Sequence, residues 1–211
     1  MIDMDEDEIA TTGAHIFNDD VLVDYPKLTT LLPLVMEGSS FIAGGVFKDI
    51  LEDRDPKDVD VFFYNAGGYN DMVERFRKSS KYKFRHHTHK STAFEHEVSG
   101  TVVDLVCYQF GTPGEVIDRF DFTVCKAAMY NEKNGKTRFI NHPAFRIDLD
   151  QKILRMPPVA GTFAADGLFN RIIRYTRYGY NIDVDTKVRL FESVRRMENL
   201  DFITPVARVY P

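Results

Sequence analysis

Asp58 and Asp60 stand two residues apart in the apolar run DVDVFF, and Asp104 stands in a second such run, TVVDLVCY. Side chains two apart on a strand point to one side, so both carboxylates of the first run are predicted to converge while Val59 and Val61 turn to the core. Carboxylates held side by side repel one another unless a cation neutralises them, and clustered hard oxygens suit Mg²⁺ or Mn²⁺. An edge strand with a polar outer face also explains the Asp58/Asp60 pair. It explains Asp104 less well, because a lone charge in an otherwise apolar strand is costly to bury. Upstream, Gly44 and Gly45 separate SSFIA from VFKDILED. A glycine pair between a strand and a helix lets the backbone turn sharply and approach a ligand, and the free N–H groups of the following helix favour an anion. The same pair also serves a purely steric turn. Taken together, three carboxylates on adjacent strands beside a phosphate-binding turn predict a two-metal site for phosphoryl or nucleotidyl transfer, with Asp58, Asp60 and Asp104 as catalytic and metal-binding groups.

These groups need strands to hold them, and the periodicity supplies candidates. SSFIAGG reads as a strand into a turn, VFKDILED as a helix that Pro56 ends, and DVDVFFYN as a strand. An amphipathic helix is expected over GGYNDMVERFRKS. STAFEHEV and TVVDLVCYQF are expected to pair as strands through the tight turn Ser99-Gly100, and NEKNGKTRFI to form a hairpin with Asn134-Gly135 at its tip. KLTTLLPLVM looks helical, with Pro33 interrupting or starting it. GEVIDRFDFTVCKAAMYN carries apolar residues at helical spacing, which makes Cys125 a buried thiol of that run. From Asp166 onward the pattern is helical. Residues 1–26 read as an acidic arm with a short helix. The organisation expected is an α/β domain of roughly 150 residues followed by a small helical piece.

Composition excludes several classes. Hydrophobic residues make up 44% and charged residues 28% of 211, as in ordinary globular proteins. The acidic start MIDMDEDEIA has neither the basic nor the apolar region of a signal peptide, and no apolar run is long enough to cross a bilayer, so no membrane partner is expected. Cys107 and Cys125 lack CxxC spacing, which argues against a disulfide framework or structural zinc and for a reducing cytoplasm. Net charge is −5, yet the charge is unevenly spread. Residues 1–26 hold eight acids and no Lys or Arg, whereas Arg75–Lys90 holds seven Lys or Arg and no acid. That segment admits a local anionic partner, or is simply a solvated face and loop. His86, His87 and His89 within it lack the accompanying spacing of a metal site and read as part of a solvated basic loop. Tyr175, Tyr178 and Tyr180 fit core packing better than base stacking, and Arg171, Arg174 and Arg177 recur every three residues along one side of a helix.

The stretch GGVFKDILEDRDPKDVDVFF resembles the head-domain signature of the DNA polymerase β-type nucleotidyltransferases, in the branch of CCA-adding enzymes and bacterial poly(A) polymerases. That branch shows a Gly-Gly turn, a basic-acidic pair, here Lys48-Asp49, and an Arg-x-Pro-Lys-Asp-x-Asp run, here Arg54 to Asp60. DRFDFTVCKAAMYN is similar to the family's Arg-Arg-Asp-Phe-Thr segment through Arg119, Asp121, Phe122 and Thr123, with Phe120 in place of the second Arg. RIDLDQKILRM resembles the close of the head and GTFAADGLFNRIIRYTRYGYNIDVDT the start of the neck. The resemblance, over roughly residues 38–190, implies an α/β (α+β) nucleotidyltransferase palm with a small mixed sheet flanked by helices and a short helical neck-like segment. The boundaries it implies are an acidic arm over 1–26, a head over 27–155 and a neck-like segment over 156–211.

It further implies two Mg²⁺ or Mn²⁺ ions on Asp58, Asp60 and Asp104, an NTP substrate (ATP or CTP), and an RNA acceptor, tRNA-like at its 3′ end. Nucleotide-binding residues carried over are Gly44, Gly45, Lys48, Arg54, Lys57, Arg119, Asp121, Asp166, Arg171 and Arg174. For Asp121 a capping or ion-pair role is slightly favoured. The motif that selects CTP and ATP in the family, Glu-Asp-x-x-Arg, is incomplete, since Asp166 stands but Ala165 and Phe169 replace its partners. The sequence continues only briefly past the neck, which leads to the expectation of a minimal form. Transfer to a protein or small-molecule hydroxyl, or nucleotide and RNA binding without turnover, are the alternative readings.

Overall fold

The computed structural model describes residues 17–21, 26–35, 39–157 and 165–195. Its frame is an eight-stranded mixed sheet built from β1 (Asn18–Val21), β2 (Ser40–Ala43), β3 (Asp58–Phe63), β4 (Tyr82–His87), β5 (Ser91–His96), β6 (Val102–Phe110), β7 (Ala127–Asn131) and β8 (Thr137–Asn141). The spatial order is β1-β8-β7-β2-β3-β6-β5-β4. Within this sheet β3 and β6 run parallel, and the other neighbouring pairs are antiparallel.

The alternation along β3 decides which face meets which layer. Val59, Val61 and Phe63 enter the main core with Ile42, Phe47, Phe94, Val103 and Leu105. That face is covered by α1 (Val46–Leu51) and α2 (Ala66–Lys78), the latter burying Met72, Val73 and Phe76. Asn65 starts α2 by accepting the Gly68 N–H at 3.1 Å. The other face carries Phe41, Ala43, Phe62, Ala128 and Ile140, packed against Val116 and Ile117 of α3 (Pro113–Asp118). A capping box between Thr112 and Glu115 fixes the start of α3.

Downstream, α4 (Phe145–Asp150) leads to β9 (Ile153–Leu154), which pairs in parallel with β10 (Asn181–Ile182). Around β10 lie α5 (Ala165–Arg177) and α6 (Val184–Arg195). Leu168, Ile172 and Tyr175 of α5, at helical spacing, join the main core. A polar clamp reinforces the join. Asp148, fully buried, accepts the Thr123 hydroxyl at 2.6 Å and two guanidinium nitrogens of Arg155 at 3.0 Å. Arg155 also reaches Asp183 at 3.2 Å.

Four sequence expectations change here. The run GEVIDRFDFTVCKAAMYN is not one helix: it divides into α3, a 3-10 turn over Thr123–Cys125 and the buried strand β7. Pro26–Leu34 is a 3-10 helix with Pro33 inside it. Residues 18–21, placed in the acidic arm, form strand β1 against β8, with Asp19 paired to Arg138 at 2.5 Å. The short helix expected in the arm is not among its described residues, since 1–16 and 22–25 lie outside them. The basic segment, read as a solvated helix face and loop, has its helix face in the end of α2, but its residues 82–87, His86 and His87 among them, form strand β4 instead of loop.

Candidate active site

Strand register brings the three aspartates together. Asp60 on β3 lies directly opposite Asp104 on β6, and Asp58 lies opposite Val102. Residues opposite one another share a face, as do residues two apart, so Asp58, Asp60 and Asp104 all project from the face opposite the Val59/Val61 core. Asp104 accepts the Ser91 hydroxyl at 3.0 Å. The glycine turn meets the same spot: a Cβ built on Gly44 would stand 3.7 Å from Asp60 Oδ2 and 3.7 Å from the Phe120 ring. Gly44 has φ of +107° and gives its N–H to Ala127 at 3.1 Å. A side chain is strained in that conformation. Gly44→Ala is therefore expected to cost about 1–2 kcal/mol in urea denaturation, and an unchanged midpoint would remove the conformational argument.

The electrostatics of the cluster are those of crowded acids. Asp60 is pushed up to about 7, first by burial and then by Asp58 and Asp104, with Arg174 pulling the other way. Asp58 is more exposed and moves up less, again through desolvation first, opposed by Arg174 and aided by Asp104 and Asp49. Three hard-oxygen donors with too little positive charge among them match Mg²⁺ or Mn²⁺ in kind. Among the described residues no three His, Cys, Asp or Glu side chains are already gathered closely enough to hold an ion.

The residues carried over as nucleotide contacts divide into two groups. Gly44, Gly45 and Arg174 are at the site. The Gly45 Cα faces the Tyr175 hydroxyl, 3.5 Å from where a Cβ would lie, and Arg174 on α5 is the cation acting on both Asp58 and Asp60. Lys48 and Arg54 are instead engaged by protein partners. Lys48 is buried, bonds to Asp49 and lies under the Tyr175 and Tyr178 rings at 5.2 and 5.3 Å. Arg54 pairs with Asp49 at 3.0 Å and with Glu52, and stacks on Tyr178 at 4.7 Å. Glu52 completes this network with Lys152 and, at 2.7 Å, the Tyr180 hydroxyl. Asp121 is buried and forms an ion pair with Arg171 at 2.8 Å. The contact is too bent for a hydrogen bond, so Asp121 Oδ2 and Arg171 Nε each lack one. Lys57 and Arg119 are exposed, Arg119 closing α3. Asp166 lies in the first turn of α5, and its side chain is outside the described residues. Cys125 is a buried thiol in the 3-10 turn, 2.9 Å from the Tyr175 hydroxyl and pushed up to about 11 by burial.

Tyr108 was not singled out from the sequence. Its side chain is partly exposed, four residues beyond Asp104 on β6, and its hydroxyl is pushed up first by desolvation and then by Asp60, with Arg171 opposing. Alternation from Asp104 through Val106 was the signal that could have found it. A cavity of about 590 Å³ lies elsewhere, lined by Leu31, Ile50, Pro56, Val59, Tyr82 and His96 among others, and includes none of the three aspartates. Among the described residues no helix is long and apolar enough to cross a membrane.

The family model for Gabija anti-defense 2 proteins matches residues 10–152, more than half of the chain. The chain belongs to that family. The resemblance read from the sequence does not name this family, and its CCA-adding side is matched by solved structures at the level of fold. A CCA-adding enzyme in complex with CTP aligns with a TM-score of 0.62 at 20% identity over 85% of this chain and 47% of its own. The same kind of enzyme with ATP gives 0.62 at 20%, over 85% and 46%. The Thermotoga maritima CCA-adding enzyme complexed with tRNA gives 0.56 at 18%, over 74% and 38%. This Gabija anti-defense 2 member thus has the nucleotidyltransferase-type fold and spans less than half the length of those enzymes. No curated protein matches it by sequence.

Proposed function

We propose that this Gabija anti-defense 2 family member is a metal-dependent nucleotidyltransferase that moves an NMP from an NTP to an acceptor hydroxyl and releases pyrophosphate, with an RNA 3′ end as acceptor. The observation that carries the reading is the convergence of Asp58, Asp60 and Asp104 on one face beside the Gly44 turn, on a fold shared with CCA-adding enzymes solved with CTP, ATP and tRNA. On this reading residues 27–155 form the catalytic head and 156–211 a neck-like segment.

The residues that would hold Mg²⁺ or Mn²⁺ are Asp58, Asp60 and Asp104; when bound, the ions neutralise triphosphate charge and favour an ionised acceptor hydroxyl. The Gly44-Gly45 backbone admits the phosphates closely because no side chain intervenes. Arg174 supplies a fixed positive charge from α5 on the side of Asp58 and Asp60. Arg171, held by Asp121, lies near Tyr108 and so helps define the nucleotide end of the face. Lys48 and Arg54 act through the network that fixes α1 against Tyr175, Tyr178 and Tyr180, keeping the turn in place. Catalysis is then mainly positioning and charge complementarity.

The same carboxylate face would also serve a second reading, transfer to a hydroxyl on a protein or small molecule. Incubating the purified chain with each α-labelled NTP, Mg²⁺ or Mn²⁺, small RNA and candidate proteins, beside Asp58→Ala/Asp60→Ala, separates them. Label in RNA that is lost in the double variant supports the first reading, and label in protein the second. NTP binding without label in any acceptor points to a binding protein and ends both.

A further inference from the structure

Two transverse rows of residues cross the sheet from the carboxylates to its outer edge. One runs Asp60, Asp104, Ala93, His86; the other runs Asp58, Val102, Glu95, Lys83. Since opposite residues share a face, His86 and Lys83 on edge strand β4 project on the same side as the aspartates. Between Phe84 and His86 the pairing slips by one residue, so that Arg85 is extra. Phe84 stays on the core side, packed edge-on against Phe94 at 5.9 Å between centroids. Arg85 turns to the carboxylate side, where it neutralises Glu95 at 2.6 Å. The bulge therefore places two consecutive basic-type side chains on one face, as bulges do when they re-aim a strand. Lys83 and Lys90 form no ion pair among the described residues, and Lys90 sits at the hairpin tip next to Ser91, the residue that bonds Asp104.

We propose that this face of β4 and the β4–β5 tip form a binding track for the phosphate backbone of a single-stranded polynucleotide whose 3′ end lies at Asp104. The proposal rests on the nucleotidyltransferase reading above. Its chemistry is that of an anion: Lys83, on the strand about 10 Å across the sheet from β6 and one row along from that of Asp104, and Lys90 at the tip form no ion pair among the described residues, on a chain whose net charge is −5. A polynucleotide end must bring its trailing phosphates past the carboxylates, and the small side chains of Ser91 and Ala93 separate the two charge signs. Charges on an edge strand also prevent edge-to-edge pairing. That role requires charge but not its placement on the carboxylate face, nor a bulge that turns Arg85 and His86 there together.

The test uses the full chain, a fluorescein-labelled single-stranded RNA and the DNA of the same sequence, and the Lys83→Glu/Lys90→Glu variant. Anisotropy is followed over a salt series, with ATP binding measured in parallel. The expected result is roughly tenfold weaker polynucleotide binding by the variant at low salt and a log K against log salt slope shallower by about 1.4, at about 0.7 per phosphate contact, with ATP binding unchanged. RNA and DNA bound alike, or RNA alone, both support the track and tell whether the 2′-hydroxyl is read. Equal affinity and slope in variant and parent overturn it, as does a parent that binds neither strand, or a variant that only self-associates. The two ideas fail separately. A variant effect on binding with no transfer to any acceptor sinks the enzyme reading alone, whereas transfer to RNA with no variant effect on binding sinks the track alone.

Discussion

Asp60→Asn is expected to abolish nucleotidyl transfer and, at the same time, to make the metal-free protein more stable above neutral pH. Removing a preorganised charge that acts on a transferring phosphate group costs on the order of 10³-fold or more. The stability effect has the opposite sign. Asp60 holds its proton up to about 7 against an ordinary 3.8, because burial and the facing carboxylates disfavour its charge. The folded chain thus binds that proton more tightly than the unfolded chain does. The stability this provides is complete below about pH 4 and is lost as pH rises through 7, amounting to on the order of 4 kcal/mol at most. The Asn side chain carries no charge to bury. In urea denaturation with chelator present, variant and parent should coincide near pH 4 and diverge by pH 8, with the variant the more stable. Added Mg²⁺ should raise the parent at pH 8 and leave the variant nearly unmoved. An Asn variant less stable than the parent at pH 8 contradicts the view that the carboxylate is held against its own preference for water.

Arg155→Ala is the second large effect, and it bears on the fold rather than the chemistry. Asp148 is fully buried and has Arg155 and Thr123 as its partners, so the truncation leaves a carboxylate without its counter-charge inside the protein. Breaking a buried pair from one side costs about 3–5 kcal/mol. The outer end of Arg155 is partly exposed, which places the expectation near the lower figure. For a chain of this size about 3 kcal/mol lowers Tm by roughly 6–12 °C. Arg155→Lys should recover part of the loss. Since Asp183 also contacts Arg155 and caps α6 through the Thr186 N–H at 2.9 Å, protease sensitivity should rise first around α5 and α6. A drop of under 1 °C would show that the clamp does not hold the helical segment to the head.

The placement of the candidate site's carboxylates is largely legible in the sequence because they sit on strands with strict alternation. DVDVFF and TVVDLVCY announce their faces at period two, and the pairing of Asp60 with Asp104 follows once the two strands adjoin. The turn at Gly44 was equally local. What failed to show was set by burial or by distance along the chain. The stretch 127–129 of β7 is buried on both faces, and a short apolar stretch has no period to distinguish a strand from a helix. From sequence, β7 therefore reads as the end of a longer helix. Lys48 and Arg54 matched a phosphate-binding motif, yet their partners include Glu52, Tyr175 and Tyr178, and no local pattern tells a charge that meets a ligand from one that meets a distant ring. The bulge in β4 was invisible for a related reason, as it exists only relative to β5.

The parallel pairing of β3 with β6 also bears on how the protein becomes functional. The hairpins β4–β5, β5–β6 and β7–β8 join neighbours in sequence, and their ends close over short loops. Asp60 and Asp104 instead belong to strands separated by α2, β4 and β5, so their meeting must await a longer closure whose entropy is spent before any contact rewards it. That closure also has to push like charges together. A chain emerging from synthesis can therefore hold most of its secondary structure while its reactive centre does not yet exist. On the reading proposed above, competence is then a late event in folding, and divalent ions bound by the three carboxylates would favour that final step.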